Sequence, residues 1–186
     1  MYQTHLDSAE SLADRVCSTF PSPVRSPRQF HSLLVWIVLT AASVLVSSLD
    51  AAELSVPTQV AHGGSVINVS VGYSAKGATV AALEFDLEYD PSALTITAEI
   101  GSAATSAGKF LAMNVLSSGQ IRFLIFGFNQ NVIGDGSVVV LTIQVSANSS
   151  VGPHRLDILN ALGADPSGQG VPVETRSGQV VRVGPR

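Results

Sequence analysis

The chain has 186 residues, 46% of them hydrophobic and 13% charged, a composition typical of a globular protein with room for one domain and its core. Such a composition excludes an intrinsically disordered chain. The formal net charge is -4 and no run of lysine or arginine occurs, which argues against a nucleic-acid-binding protein.

The N-terminal part of the chain differs in character from the rest. Residues 33–46 form an uncharged apolar run, preceded by Arg28 and followed by small residues. This order is typical of a secretory signal peptide, and the run is shorter than the roughly 18 residues of a membrane-spanning helix. We therefore expect a hydrophobic signal helix that exports the protein to the medium or the cell surface, with a retained membrane anchor as the alternative. The predicted organisation is a leader at 1–51, a folded domain at 52–183 and a tail at 184–186.

From Leu54 onward, short extended runs alternate with clusters of Gly, Ser, Asn and Pro, and no segment shows sustained helical periodicity. A loop rich in Gly, Ser and Ala is predicted over 101–108. The spacing of runs and turns predicts an all-β fold of nine or ten strands in two packed layers, a β-sandwich. The predicted strands are 54–56, 66–71, 80–89, 94–98, 110–116, 121–128, 137–145, 155–159, 171–175 and 179–183.

The strand predicted over 80–89 alternates apolar with acidic residues. Successive side chains of a strand point to opposite faces, so Glu84, Asp86 and Glu88 would face outward while the apolar residues face the core. An Asp-Pro pair at 90–91 then turns the chain. The pattern predicts an acidic stripe on the surface of the sandwich.

Catalysis is the weaker interpretation of this stripe. Alternate carboxylates on a strand stand about 6.5 to 7 Å apart, a separation that suits the acid pair of a glycoside hydrolase. A catalytic acid also needs surroundings that raise its pKa, and an open sheet face provides none. The stripe is therefore interpreted as a binding surface, with a plain solvated strand face as the alternative.

The remaining reactive residues do not form a catalytic or metal-binding pattern. His62 and His154 lack a metal-binding spacing, and no G-x-S-x-G nucleophile motif occurs. The loop at Asp165 offers a single strong calcium ligand. Cys17, the only cysteine, lies in the leader, so the domain would have neither a disulfide nor a thiol nucleophile. We expect no enzyme, no cofactor and no bound metal.

A second informative pattern lies in the strand predicted over 121–128. Its odd-numbered residues would face the core, which leaves an arginine and three apolar side chains on the other side. Exposed apolar groups of this kind mark a binding site, with coverage by a loop as the alternative. Val138, Val140 and Thr142 of the following strand would extend the patch. The predicted partner-binding residues are Glu84, Asp86, Glu88, Arg122, Leu124 and Phe126.

Residues 82–94, with the sequence ALEFDLEYDPSAL, resemble the "fdlxYDPxxL" segment of cohesin domains, the scaffold modules of cellulosomes. Further similarity lies at 119–124, 133–138 and 178–183. The resemblance implies a nine-stranded jelly-roll β-sandwich and a noncatalytic role. It also implies a dockerin module as partner, bound on a sheet face that includes the strand before the YDP turn. By position, an acidic contact of the family falls at Glu84 and its polar neighbour falls at Ala82.

The leading hypothesis is an exported cohesin-like module that recruits a dockerin-type protein, with a link to polysaccharide degradation. Direct carbohydrate binding is the first alternative, and a surface adhesion or structural domain is the second. Sugar-binding faces present aromatic rings, and the only tryptophan, Trp36, lies in the leader. The aromatic candidates for a sugar site are Tyr73, Tyr89, Phe110 and Phe126.

Overall fold

The computed structural model describes residues 51–184, which form eleven β-strands and one short α-helix. The strands are β1 (Ala52–Ser55), β2 (Thr58–His62), β3 (Val66–Ser74), β4 (Ala82–Tyr89), β5 (Leu94–Ile100), β6 (Phe110–Ser117), β7 (Gln120–Phe126), β8 (Gly136–Val145), β9 (Gly152–Ala164), β10 (Gly170–Arg176) and β11 (Gly178–Val183), and the helix is α1 (Ser102–Ser106). The all-β prediction is confirmed.

The predicted number of nine or ten strands is too low for the described residues. The additional strand is β2, which has five residues, follows Pro57 and pairs with β11 alone, so its sequence carries little strand signal. Strand β9 is also longer than predicted, with 13 residues. The predicted loop over 101–108 contains α1. This helix has only five residues and one buried residue, Ala104, so its sequence shows no helical periodicity.

The strands pair into two layers. The first layer has the order β5-β8-β3-β1, and the second has the order β6-β7-β4-β9. The far edge of β9 pairs with β11 at Gly152–Leu156 and with β10 at Leu162–Ala164, and β2 adds to β11. A parallel pairing of β1 with β10 joins the two layers.

The core lies between the layers and follows the predicted alternation. Leu83, Phe85 and Leu87 of β4 are buried, and the rings of Phe85 and Phe123 lie 5.2 Å apart between centroids. The first layer contributes the buried odd-numbered residues of β8, from Val139 to Val145. The predicted division of β4 and β7 into core and outer faces is therefore confirmed for the apolar core residues.

The expected extension of the apolar patch by Val138, Val140 and Thr142 is wrong. These residues lie on β8, which pairs with β3 and β5 in the first layer and not with β7. Val138 is fully buried and belongs to the hydrophobic core, at a register shift of β8 against β3, and α1 contacts β8. Adjacent strands in sequence belong here to different layers.

Residues 1–50 of the leader are not part of the described structure. The predicted signal or anchor segment at residues 33–46 and the last two residues of the tail lie outside it. Between residues 51 and 184, no helix is long and apolar enough to cross a membrane.

Candidate partner-binding face

The predicted binding residues converge on the solvent side of β6, β7, β4 and β9, which we call the outer face. Register places Leu124 of β7 between Ala112 of β6 and Glu84 of β4, and Glu84 in turn faces Leu162 of β9. The next row places Arg122 beside Asp86. Four adjacent strands thus present one continuous surface.

The centre of the outer face is an ion cluster. Arg122 donates from Nε to Oδ1 of Asp86 at 2.7 Å and from Nη2 to Oδ2 at 3.0 Å. Its Nη1 lies 3.2 Å from Oε1 of Glu84. Two parallel hydrogen bonds between a guanidinium and one carboxylate fix the orientation of the two groups relative to each other. The cluster therefore holds the Arg122 guanidinium over Asp86 and beside Glu84.

Asp86 does not face solvent, so that part of the acidic-stripe prediction is wrong. Its side chain is only 1% exposed, because Arg122 covers it and Asn160 donates from Nδ2 to its Oδ2 at 2.9 Å. These bonds supply polar partners that a buried carboxylate needs. Asp86 is thus positioned to organise the surface, whereas Glu84 and Glu88 retain exposed carboxylates.

Asn160 was not found by sequence reasoning. The step from Leu159 to Leu162 in β9 is three residues long, whereas the facing step from Asp86 to Glu84 in β4 is two residues long, which identifies a bulge in β9. Asn160 adopts a left-handed φ of 52° there, a conformation that Asn tolerates better than most residues. The bulge turns its amide toward Asp86, and the only hint in the sequence is an Asn within an apolar run.

The hydrogen bonds between Asp86 and Arg122 shift the pKa values of these two groups in opposite directions. The hydrogen bonds from Arg122 hold the pKa of Asp86 below its usual range, against the opposing effect of burial. The same bonds raise the pKa of Arg122. Both groups are therefore charged at neutral pH, and the cluster stays intact there.

Apolar side chains surround the ion cluster and remain exposed. Leu124 and Leu159 are each 37% exposed and Leu162 is 55% exposed. The alternative that a loop covers the apolar residues of β7 is therefore wrong for Leu124. The sequence analysis missed Leu159 and Leu162, because simple alternation places them on opposite faces and only the bulge between them brings both to the outer face.

Three phenylalanines form an exposed aromatic cluster at one end of the outer face. Phe126 is half-buried, whereas Phe110 and Phe128 are 54% and 95% exposed. Their ring centroids lie 6.2 to 6.4 Å apart, and their planes are inclined at 47 to 83°. Phe126 and Phe128 pack edge to face, the other two pairs are tilted, and the three rings form an uneven apolar protrusion.

Several polar groups outside the outer face form hydrogen bonds or ion pairs within the described structure. Nε2 of the buried His154 lies 3.0 Å from the carbonyl oxygen of Ser150, and the Asp165 carboxylate accepts bonds from Ser167 and Gln169 within its own turn. Glu53 on β1 binds Lys76 and Arg176. Over residues 51–184, no group of three or more His, Cys, Asp or Glu side chains could hold a metal ion.

Comparison with known proteins identifies one family. A family model described as "Cohesin domain" matches residues 52–181. A comparison with the curated proteins gives no match.

Solved structures share the fold at low sequence identity. The sixth cohesin of scaffoldin B from Acetivibrio cellulolyticus, solved with a mutant Cel5 dockerin, gives a TM-score of 0.63 at 20% identity, over 72% of this chain and 99% of that one. A non-cellulosomal cohesin from the archaeon Archaeoglobus fulgidus gives 0.60 at 23% identity, over 72% and 92% of the two chains. The cohesin CaCohA2 from Clostridium acetobutylicum gives 0.63 at 19% identity, over 74% and 94%. Because nearly all of each solved chain is covered, the sandwich corresponds in fold to almost the whole of those chains.

Proposed function

Because the chain belongs to the cohesin family, whose domains are noncatalytic protein-binding modules, we propose that its outer face binds a dockerin-type module of another protein. Its sandwich would be of the jelly-roll type that the sequence resemblance implies. A dockerin as partner is supported by related cohesins that were solved with one, such as that of Acetivibrio cellulolyticus.

The strongest support within this chain is the uncovered apolar surface around a fixed ion cluster. Leu124, Leu159 and Leu162 expose carbon surface on a sheet face that no described element covers. Protein interfaces combine exposed apolar surface with polar groups that the partner matches. The outer face offers both, with the ion cluster at its centre and apolar side chains around it.

Each predicted residue has a distinct proposed role. Leu124 and Phe126 contribute apolar contacts beside the ion cluster, and Glu84 offers its carboxylate to a basic or hydroxyl group of the partner. Arg122 contributes polar contacts at the centre of the face, and Glu88 does so at its rim. Asp86 acts from below by holding Arg122, since its own carboxylate is already occupied.

Ala82 gives the face an apolar character where the family resemblance implies a polar contact. It pairs with Ala164 of β9, so this row of the sheet offers no side-chain hydrogen bond. A buried polar group without a partner costs free energy. We therefore expect the preferred partner to place an apolar side chain over Ala82.

The proposal is tested by binding of residues 51–186 to dockerin modules encoded in the same genome. We expect at least one module to bind, and both Glu84→Lys and Phe126→Asp to weaken it at least about tenfold, as central interface residues do. Thr95→Lys, on the exposed side of β5 in the first layer, is the matched charge control and should leave affinity unchanged. Binding that survives both outer-face substitutions would disprove the assigned face, and absence of any dockerin binding would disprove the partner.

Direct carbohydrate binding stays the second candidate because Phe110 and Phe128 are exposed. Two observations weaken it. The three rings are mutually inclined and form no flat platform for stacking. Tyr73 is buried, and burial raises the pKa of its hydroxyl to about 12, so it is lost as a sugar-binding candidate. Binding of residues 51–186 to a glycan array without any protein partner would favour this function.

We also propose that the protein is exported and that its partner belongs to a polysaccharide-degrading enzyme. The apolar run at 33–46 and the small residues after it support export. Mass spectrometry of the culture medium should find a mature N-terminus that results from cleavage between residues 48 and 52. Recovery of peptides from residues 33–46 in the membrane fraction would instead indicate an anchor. Location at the cell surface without binding of a dockerin or a glycan would favour an adhesion or structural role.

A further inference from the structure

Strand β6 ends the second layer and has an open edge. It pairs with β7 on one side, and no described strand pairs with its other side. Such an edge presents a row of backbone N–H and C=O groups that can add a strand from another chain.

The open edge of β6 lacks the devices that usually prevent strand addition. Residues Phe110–Ser117 include neither a charged residue nor a proline. Met113 and Val115 pair with the core residues Phe123 and Ile121 of β7, so they lie on the inner side of the sheet. At this edge they are nevertheless 47% and 63% exposed. The only irregularity is a bulge between Val115 and Ser117, so the five residues from Leu111 to Val115 are regular.

The other open edges differ. Strand β5 carries the exposed Glu99 among threonines, and a charge on an edge opposes pairing. Strand β2 has only five residues and starts directly after Pro57. Among the described strands, β6 is the longest open edge without protection.

We propose that β6 pairs antiparallel with β6 of a second copy of this chain, about a two-fold axis at Met113. In this register Met113 faces Met113 of the second copy, Leu111 faces Val115, and Ala112 faces Asn114. Residues that face each other have the same parity, so the inner and outer faces continue across the junction. Apolar residues meet apolar residues on the inner side, and no like charges meet because the strand has none. This self-complementarity favours a second copy over a foreign strand.

The expected dimer is weak. Eight residues of a strand span about 27 Å, and one added strand buries less than the about 800 Å² per partner of a standard interface. We expect a dissociation constant on the order of 100 µM for residues 51–186 alone. A two-fold axis perpendicular to the sheet would direct both outer faces to the same side, so a dimer would present two partner sites together.

Sedimentation velocity of residues 51–186 from about 5 to about 500 µM tests the dimer. Wild type should associate with rising concentration, and Met113→Lys and Met113→Glu should each weaken association at least about tenfold through like charges at the axis. An equimolar mixture of the two variants should recover association, because Lys then faces Glu. Val60→Lys, at a similarly exposed valine on β2, is the control and should behave as wild type.

Wild type that stays monomeric over the whole range would overturn the proposal. So would a mixture of the two Met113 variants that remains monomeric while both retain the wild-type circular dichroism spectrum. If either Met113 variant fails to fold, Val115→Lys at a side chain 63% exposed must abolish association in a folded protein, and unchanged association would equally overturn the proposal. No dockerin is used, so the outcome is independent of the partner proposed above.

Discussion

Asp86 ties three strands of the second layer together. It lies on β4 and accepts hydrogen bonds from Arg122 on β7 and Asn160 on β9. A buried carboxylate is costly unless such bonds compensate its lost hydration. Its contribution to stability therefore depends on its charge, and hence on pH.

We predict that Asp86→Asn lowers the free energy of unfolding by about 2 kcal/mol at pH 7, the scale of hydrogen bonds to a charged group. The pKa of Asp86 is lower in the folded state than in the unfolded state, where it is about 4. The stability that the charge of Asp86 supplies is therefore fully present above about pH 4. This stability is lost as the pH falls through the folded-state pKa. The difference between wild type and variant should therefore shrink below about pH 4. Urea unfolding at pH 7, 5, 4 and 3 measures the free energy of unfolding of wild type and of Asp86→Asn, and hence the difference between them. Glu88→Gln, at an exposed carboxylate, is the control, and a difference that does not change with pH would contradict the account.

Alternation along β4 and β7 was readable from the sequence because it depends only on the two-residue period of a strand. Burial of Asp86 was not, because it depends on a bulge in β9 that turns Asn160 and on the register that brings Arg122 alongside. Leu159 and Leu162 were missed for the same reason. The two-residue period of a strand predicts which side chains share a face. Which strands lie beside it depends on pairing between distant parts of the chain, which the period does not show.

At the scale of elements, the turn between β6 and β7 packs on the corner that follows β4. The amide of Tyr89 donates to the carbonyl oxygen of Gly119 at 2.9 Å. Gly119 has a φ of 86°, and a Cβ there would lie 2.6 Å from the carbonyl oxygen of Tyr89 and 2.9 Å from Cδ of Pro91. Gly119 is therefore required for two reasons: its backbone is left-handed, and its Cα lies too close to Tyr89 and Pro91 to leave room for a Cβ.

We predict that Gly119→Ala destabilises the domain by about 3 kcal/mol, from left-handed strain plus a steric clash. Gly168→Ala is the matched control, because Gly168 has a φ of 84° but no atom lies within 4 Å of the position that a Cβ would occupy there. The control should cost only about 1 kcal/mol, the strain term alone. Equal losses in urea unfolding would show that the contact with Tyr89 and Pro91 contributes nothing.

At the scale of the whole molecule, the two-layer architecture decides which surfaces can act together. Composition and turn spacing were enough to predict an all-β sandwich, but not which strand joins which layer. The placement of β8 in the first layer removed Val138 from the predicted patch, and β9 supplied Leu159 and Leu162 instead. The outer face is therefore built from strands distant in sequence, and its extent could be defined only from the fold.

The central claim is that the outer face, and not the first layer, receives the partner. Hydroxyl-radical footprinting of residues 51–186, with and without a bound dockerin module, tests it most directly. Labelling of Leu124, Phe126 and Leu162 should fall on binding, while Val66 of β3, 60% exposed on the first layer, should be labelled equally in both states. Protection of Val66 with unchanged labelling of the three outer-face residues would contradict the claim.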